Sequence, residues 1–230
     1  MFAVRRVFLL LAYVVSGCSA GQQVVEKETF QTVQGQAIGT RWTVKWMGLR
    51  HDQGVVRALV DGELARLDEK MSTWRVDSEL SQLRGKSGPQ ELSGETAEVV
   101  VAGLALAADT QGAFDPTVGP LMALWGFKGT HLETLPTDAD VTKVMRHVGH
   151  ERVQVDRVEG TWRIDTVGAE LDLSAIAKGT GVDWISRALL KIGVAHHMVE
   201  VGGEIRLSGD GPQQALWRVG VDDPNVDVTE

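Results

Sequence analysis

The sequence predicts an α+β protein, with mixed or antiparallel sheets and packed helices. Helical and strand-like segments alternate irregularly, without the strict rhythm of a doubly wound sheet, and the last third closes on short strand pairs spaced like hairpins. In addition, 43% of the 230 residues are hydrophobic, enough for one substantial core or two small ones.

Taken in order, Thr40–Trp46 alternates apolar and polar positions as a strand does. Val56, Val60, Leu64, Leu67 and Met71 then recur at helical spacing. Ser93 is placed to cap a second helix carrying Val100, Leu104 and Ala108, which Gly112 stops. Thr137 and Asp140 have the spacing of a capping box, opening a helix through Val141, Met145 and Val148 that Gly149 closes. Short strands are expected near Arg152–Asp156, Trp162–Ile164 and Glu170–Leu173. A helix from about Ala175 to Ile192 presents Val182, Ile185 and Leu189 on one face. Strands return at Met198–Val201, Ile205–Ser208 and Trp217–Val221.

The N-terminus reads as a leader over residues 1–17: Arg5 and Arg6, the apolar run Val7–Val15, then Ser16-Gly17. That run is too short to cross a bilayer as a helix. Val15-Ser16-Gly17-Cys18 resembles a bacterial lipobox, in which Cys18 is lipidated. Arg5-Arg6-Val7-Phe8-Leu9 also resembles a twin-arginine signal. The expectation is an exported protein on the periplasmic side of a bacterial membrane, anchored at Cys18, with residues 18–33 as a tether and a domain over 34–230. Cys18 is the only cysteine, so no disulfide staples the fold. The net charge is −8, and −10 without the leader and its two arginines, which argues against nucleic acid as a partner.

Three blocks carry candidate chemistry. Gly112–Phe127 joins a helix stop, the turn Asp115-Pro116 and a helix opened by Pro120. In Asp172–Gly179 a buried-looking strand delivers Asp172, Ser174 can cap the next helix, and Lys178 adds a point charge near that helix's N-terminus. The chemistry fits an anion such as a pyrophosphate; a capped helix with a surface lysine would read the same. Met71–Leu80 places Trp74 in a polar stretch, either to stack on a flat heterocycle or to pin a loop to the core. Gly202-Gly203 is a hairpin turn or a close approach of backbone to ligand. His147 and His150 are separated by a helix end, and His196 and His197 point to opposite faces of a strand, so neither pair clamps a metal easily. No Walker loop precedes Lys178, and no Gly-x-Ser-x-Gly elbow is present.

The order and spacing of Ile38-Gly39-Thr40, Met71–Leu80, Gly112–Phe127, Asp172–Gly179, Val199–Glu204 and Trp217–Pro224 closely resemble the FAD:protein FMN transferases, lipoproteins of the ApbE type. The resemblance implies a transferase that binds FAD, cleaves its pyrophosphate with Mg²⁺, and attaches FMN through a phosphoester to a threonine of an acceptor flavoprotein in membrane redox complexes. It implies that Ile38, Trp74, Ala113, Phe114, Asp115, Asp172 and Lys178 hold the cofactor and that the Ala175 carbonyl contacts the metal. Ile38 stands where the family usually has methionine. The family pattern also runs beyond Pro224 into a segment that completes the metal site, so the domain is expected to be C-terminally incomplete. Two alternatives follow: a flavin-binding or inactive remnant, and a Mg²⁺-dependent FAD pyrophosphatase.

Overall fold

The computed structural model describes residues 30–48, 51–86, 88–129 and 134–221. The leader, Cys18 and the first part of the tether lie outside them. Strands β1 (Phe30–Ala37) and β2 (Thr40–Met47) form an antiparallel hairpin in which Ala37 faces Thr40 and Phe30 faces Met47. Its turn is Ile38-Gly39, with φ of 47° and 74°, the left-handed pair that a two-residue hairpin turn requires. In β2 the alternation holds: Trp42, Val44 and Trp46 are buried.

Helix α1 (Gln53–Met71) starts at Asp52, whose side chain accepts from the Val55 amide, and buries the predicted stripe Val56, Val60, Leu64, Leu67 and Met71. The three-residue strand β3 (Gln90–Leu92) leads into α2 (Gly94–Asp109), capped by Ser93 as expected. A short α3 (Gly119–Leu124) precedes α4 (Asp138–Met145), where the Thr137–Asp140 capping box is complete. Strands β4 (Gln154–Val158) and β5 (Thr161–Asp165) form the next hairpin. Helix α5 (Ser174–Lys191) buries Val182, Ile185 and Leu189 and is followed by the hairpin of β6 (His197–Val201) and β7 (Glu204–Ser208). The strands make two antiparallel sheets, ordered β1-β2-β6-β7 and β3-β5-β4, so the α+β class holds. Helices α1 and α5 pack on each other and on the four-stranded sheet; α2 contacts both helices and the smaller sheet.

Several local expectations are corrected. Phe30–Val33, assigned to the tether, belong to β1, a polar edge strand whose only buried residue is Val33. The buried face of α2 is Thr96, Ala97, Val99, Val100, Gly103 and Ala107, so Leu104 is half-buried and Ala108 exposed. Gly103 explains this offset: a Cβ there would meet Ile176 at 3.2 Å and Pro116 at 3.6 Å, so the helix turns its smallest residue to its closest neighbours. Helix α4 stops at Met145, short of Val148, and buries nothing. Glu170–Leu173 is not a strand. It makes one parallel bridge, Val118 to Glu170, and its run of three consecutive buried residues, Leu171, Asp172 and Leu173, lacks the alternation of a half-exposed strand. Among the described residues 215–221 there is no strand either. Trp217 instead donates its indole N–H to the Ser208 carbonyl at 3.3 Å and meets Phe30 edge-on at 5.4 Å between ring centres.

Two buried or half-buried polar groups tie the elements together. The Glu79 carboxylate accepts from the Ser93 amide, the Ser93 hydroxyl and the Thr96 hydroxyl, each at 2.6 Å, and so anchors the start of α2. Burial alone would raise the Glu79 pKa, but these bonds and Lys70 outweigh it and hold the carboxyl below its ordinary value. His197 is fully buried, with Nε2 2.8 Å from the Ser186 hydroxyl and Nδ1 2.9 Å from the Val194 carbonyl. Burial depresses its pKa, with the Arg206 and His196 charges acting the same way against the Val194 bond. Both folded values lie below the unfolded ones, so the unfolded chain binds more protons and stability is lost as pH is lowered. The His197 contribution is present above its ordinary value of 6.5 and is lost as pH drops through the depressed one; the Glu79 contribution follows below 4.5. The urea midpoint is therefore expected to fall stepwise from about pH 7 to about pH 3.5, and Glu79→Gln to flatten the lower step. A midpoint constant across that range would contradict both assignments.

Candidate cofactor-binding cleft

An open cleft of about 710 Å³ lies where the β1–β2 turn, the end of α1 and the start of α5 meet. That is within the usual range for cofactor sites. Ile38, Gly39 and Thr40 come from the turn; Leu67, Asp68 and Met71 from the last turns of α1; Ser72–Arg75 from the following loop; and Ser174, Ala177 and Lys178 from α5.

The loop is built by Ser72. It leaves the helix with ψ of 131° while its amide still donates to the Asp68 carbonyl. Its hydroxyl accepts from the Trp74 and Arg75 amides at 3.3 and 3.2 Å, and its carbonyl receives the Ser78 and Ser81 hydroxyls. This framework presents Trp74 with 71% of its surface exposed, so the indole is an available flat face and does not pin the loop to the core. Gly129, with φ of 83°, brings a neighbouring turn to the indole, where a Cβ would lie 3.5 Å from the ring.

At the opposite wall, Ser174 does not cap α5. The N-cap is Leu173, without a side-chain bond, and the Asp172 carboxylate accepts from the Ser174 amide at 3.0 Å. Lys178 reaches back over the cleft and donates to the Gly202 carbonyl at 2.8 Å. Gly202 has φ of 55°, and a Cβ there would sit 2.8 Å from the Thr40 hydroxyl and 3.1 Å from Lys178 Cδ. Gly202-Gly203 is thus both a hairpin turn and a close approach, to protein atoms. The cleft carries Lys178, Arg75 and Asp68, of which Arg75 pairs with Asp68 at 3.4 Å, leaving Lys178 as the surplus positive charge.

Of the residues read from sequence, Ile38, Trp74 and Lys178 line this cleft together. Asp172 is buried behind the first turn of α5, and Ala175 is exposed on that turn without lining the cavity. Ala113, Phe114 and Asp115 do not line it. Ala113 is exposed and Phe114 half-buried, and both Asp115 oxygens are engaged by protein: one by the Thr117 amide and hydroxyl at 2.8 and 2.6 Å, the other by the His150 amide and Nδ1 at 2.9 and 3.3 Å. Burial would raise the Asp115 pKa, and these bonds overcome it and lower it. Sequence reasoning missed Asp68, and within the blocks it singled out it did not name Ser72, Arg75 or Ala177; these enter because the end of α1 and its following loop meet the start of α5. Among the described residues no three His, Cys, Asp or Glu side chains gather to hold a metal. One carbonyl at Ala175 is too few for Mg²⁺, which takes near-octahedral oxygen coordination.

A family model described as the ApbE family matches residues 38–230. The FAD:protein FMN transferase of Vibrio cholerae is 35% identical over 201 residues, covering 85% of this chain and 59% of that protein. The same-named protein of Haemophilus influenzae is 32% identical over 215 residues, covering 87% and 61%. The solved structure of the flavin transferase ApbE from Vibrio cholerae aligns with a TM-score of 0.78 at 34% identity, covering 86% of this chain and 65% of that one. Apo flavinyl transferase ApbE from Pseudomonas stutzeri aligns with a TM-score of 0.77 at 28% identity, covering 85% and 66%. The chain thus spans about 59% to 65% of the length of the curated relatives just named and of others from enteric bacteria. With a family model matched over most of its residues, a shared α+β fold and a cleft where Ile38, Trp74 and Lys178 converge, the chain belongs to the ApbE family.

Proposed function

We propose that this protein binds FAD in the Ile38–Trp74–Lys178 cleft and transfers FMN to a threonine hydroxyl of an acceptor flavoprotein in a membrane redox complex. The observation that carries the reading is that an exposed indole, Trp74, and a cationic side chain, Lys178, line one cavity. Trp74, Ile38, Leu67 and Met71 offer aromatic and apolar surface for an isoalloxazine ring. Lys178, held to the Gly202 carbonyl by one of its three N–H donors, keeps donors free for phosphate oxygens, and the first turn of α5 favours negative charge. The relatives' printed names, FAD:protein FMN transferase, support the same reading.

Mg²⁺ belongs to this proposal through the family resemblance: it would neutralise charge on the phosphate under attack. Among the described residues no cluster of three His, Cys, Asp or Glu side chains forms its site. The role of the chain's own residues is to bind, orient and neutralise. Trp74 and Ile38 would fix the ring, and Lys178 would stabilise negative charge on the pyrophosphate as the bond to the departing AMP breaks.

The purified protein, given FAD, Mg²⁺ and an acceptor carrying the target threonine, should yield an acceptor that fluoresces as a flavin in a denaturing gel. An acceptor that stays dark while FMN and AMP are released would mean a pyrophosphatase. A dark acceptor with no FAD cleavage would remove the transferase reading. We also propose export and lipidation at Cys18; in lysed bacterial cells expressing the full chain the wild-type protein should fractionate with membranes, and a Cys18→Ser variant that still did so would overturn the anchor.

A further inference from the structure

Asp115 reads most simply as a ligand-binding acid, but its geometry gives it a different task. Its carboxylate closes a clasp between two loops. Thr117 donates its amide and hydroxyl to one oxygen, His150 donates its amide to the other, and the Thr117 hydroxyl in turn accepts from the Gly149 amide at 2.7 Å. Thr117 is fully buried. Between the two clasped residues sits Pro116, and its carbonyl accepts from the Asp172 amide at 2.7 Å. The Asp172 carboxylate then accepts from Ser174, the first residue of α5. Pro116 also packs with Ile176 around Gly103 of α2. Beside this contact, the Val118–Glu170 bridge and Gly119, where a Cβ would lie 2.7 Å from the Glu170 carbonyl, hold the same two segments side by side.

We propose that Asp115 is a positioning residue, and that its clasp with Thr117 and His150 holds Pro116 against residues 170–174 and so fixes the cleft-facing start of α5. The cofactor side of this inference rests on the FAD reading; the positioning itself does not. A carboxylate that accepts from the Thr117 amide, the Thr117 hydroxyl and the His150 amide, with the His150 ring nitrogen 3.3 Å away, has little capacity left for a ligand, whereas such bonds constrain the backbone on either side of them. Four residues after Ser174 on the same helix, Lys178 takes its place in the cleft from the helix start that this contact supports.

The test uses Thr117→Val and Asp115→Asn in the full chain, with hydrogen exchange read by mass spectrometry and FAD affinity read by flavin fluorescence. Thr117→Val removes a buried hydroxyl that does not line the cleft. In both variants, peptides over 170–178 should exchange roughly fivefold faster, as expected for losing about one hydrogen bond's worth of support. Peptides over β6 and β7 should keep their wild-type rates. FAD should bind about 10- to 100-fold more weakly in both, the scale of a group displaced by a supporting change. If either variant fails to fold, His150→Ala, which leaves the backbone clasp intact, should give a smaller change in the same peptides. Faster exchange confined to the 115–117 and 149–150 loops, with 170–178 unchanged, would overturn the proposal. Weakened binding in Asp115→Asn alone, with wild-type exchange, would overturn it too and make Asp115 a direct contact. Should the wild type bind no FAD, the cofactor reading falls and the exchange data still decide the clasp.

Discussion

Lys178→Met is expected to weaken FAD binding by about 10- to 150-fold while leaving the fold in place. The substitution keeps the aliphatic stem that packs near Thr40 and Gly202 and removes the ammonium group. A hydrogen bond to a charged group contributes roughly 1.5–3 kcal/mol, and each 1.4 kcal/mol is a tenfold change in affinity. The same change also unties the Gly202 carbonyl, which sits in a turn and can be rehydrated, so its effect on unfolding should be small by comparison. Lys178→Arg should recover only part of the affinity, because a planar fork does not reproduce a compact charge held beside Thr40 and Gly202. A fluorescence titration of FAD at two salt concentrations separates the cases. Loss of the salt dependence together with the affinity supports the role; an unchanged dissociation constant removes Lys178 from the site.

The largest effect on stability is expected at Trp42. Its indole is fully buried in β2, lies across Gly35 of β1, and has the Arg57 guanidinium 5.4 Å from its ring centre. Trp42→Ala should cost about 3–5 kcal/mol, a large share of the stability of an ordinary domain. For a protein of this size that is a fall in melting temperature of roughly 6–20 °C. Gly35→Ala tests the same contact from the other strand: a Cβ there would lie 2.6 Å from the indole, so overpacking should cost about 1–3 kcal/mol. The two changes should not add, since removing the ring removes the clash. Urea denaturation of the two single variants and the double variant decides it. Additive losses would mean that Gly35 is required for some reason other than Trp42.

Much of this fold was legible because its long elements obey simple periodicities. The Val56-to-Met71 stripe, the Thr137–Asp140 capping box and the Met198–Ser208 hairpin were placed from spacing alone. What failed was whatever depends on neighbours. Glu170–Leu173 looks like a strand because Leu171 and Leu173 alternate with acids, yet Asp172 is buried as well, its amide bonded to the Pro116 carbonyl. Phe30–Val33 reads as the end of a tether because it continues a polar stretch, yet an edge strand can be polar on most of its surface. The cleft divided the same way. Trp74 and Lys178 stand out as residue types, and both line the cavity. Asp115 stood out equally, and only the positions of Thr117 and His150 reveal that its oxygens are already in use.

The Ile38-Gly39 turn has a consequence for how the protein has been tuned. A β-branched residue at φ of 47° sits in a backbone region that Asn or Gly fills at much lower energy, at a local cost of order 1–3 kcal/mol. The hairpin therefore folds despite its tip, sustained by the buried Trp42, Val44 and Trp46 behind it. What the isoleucine supplies in return is apolar surface in the cleft that Lys178 also lines, which a relaxed Asn-Gly turn would lack. Under the FAD reading, the chain keeps an apolar side chain in the cleft at this position at the expense of the hairpin's tip.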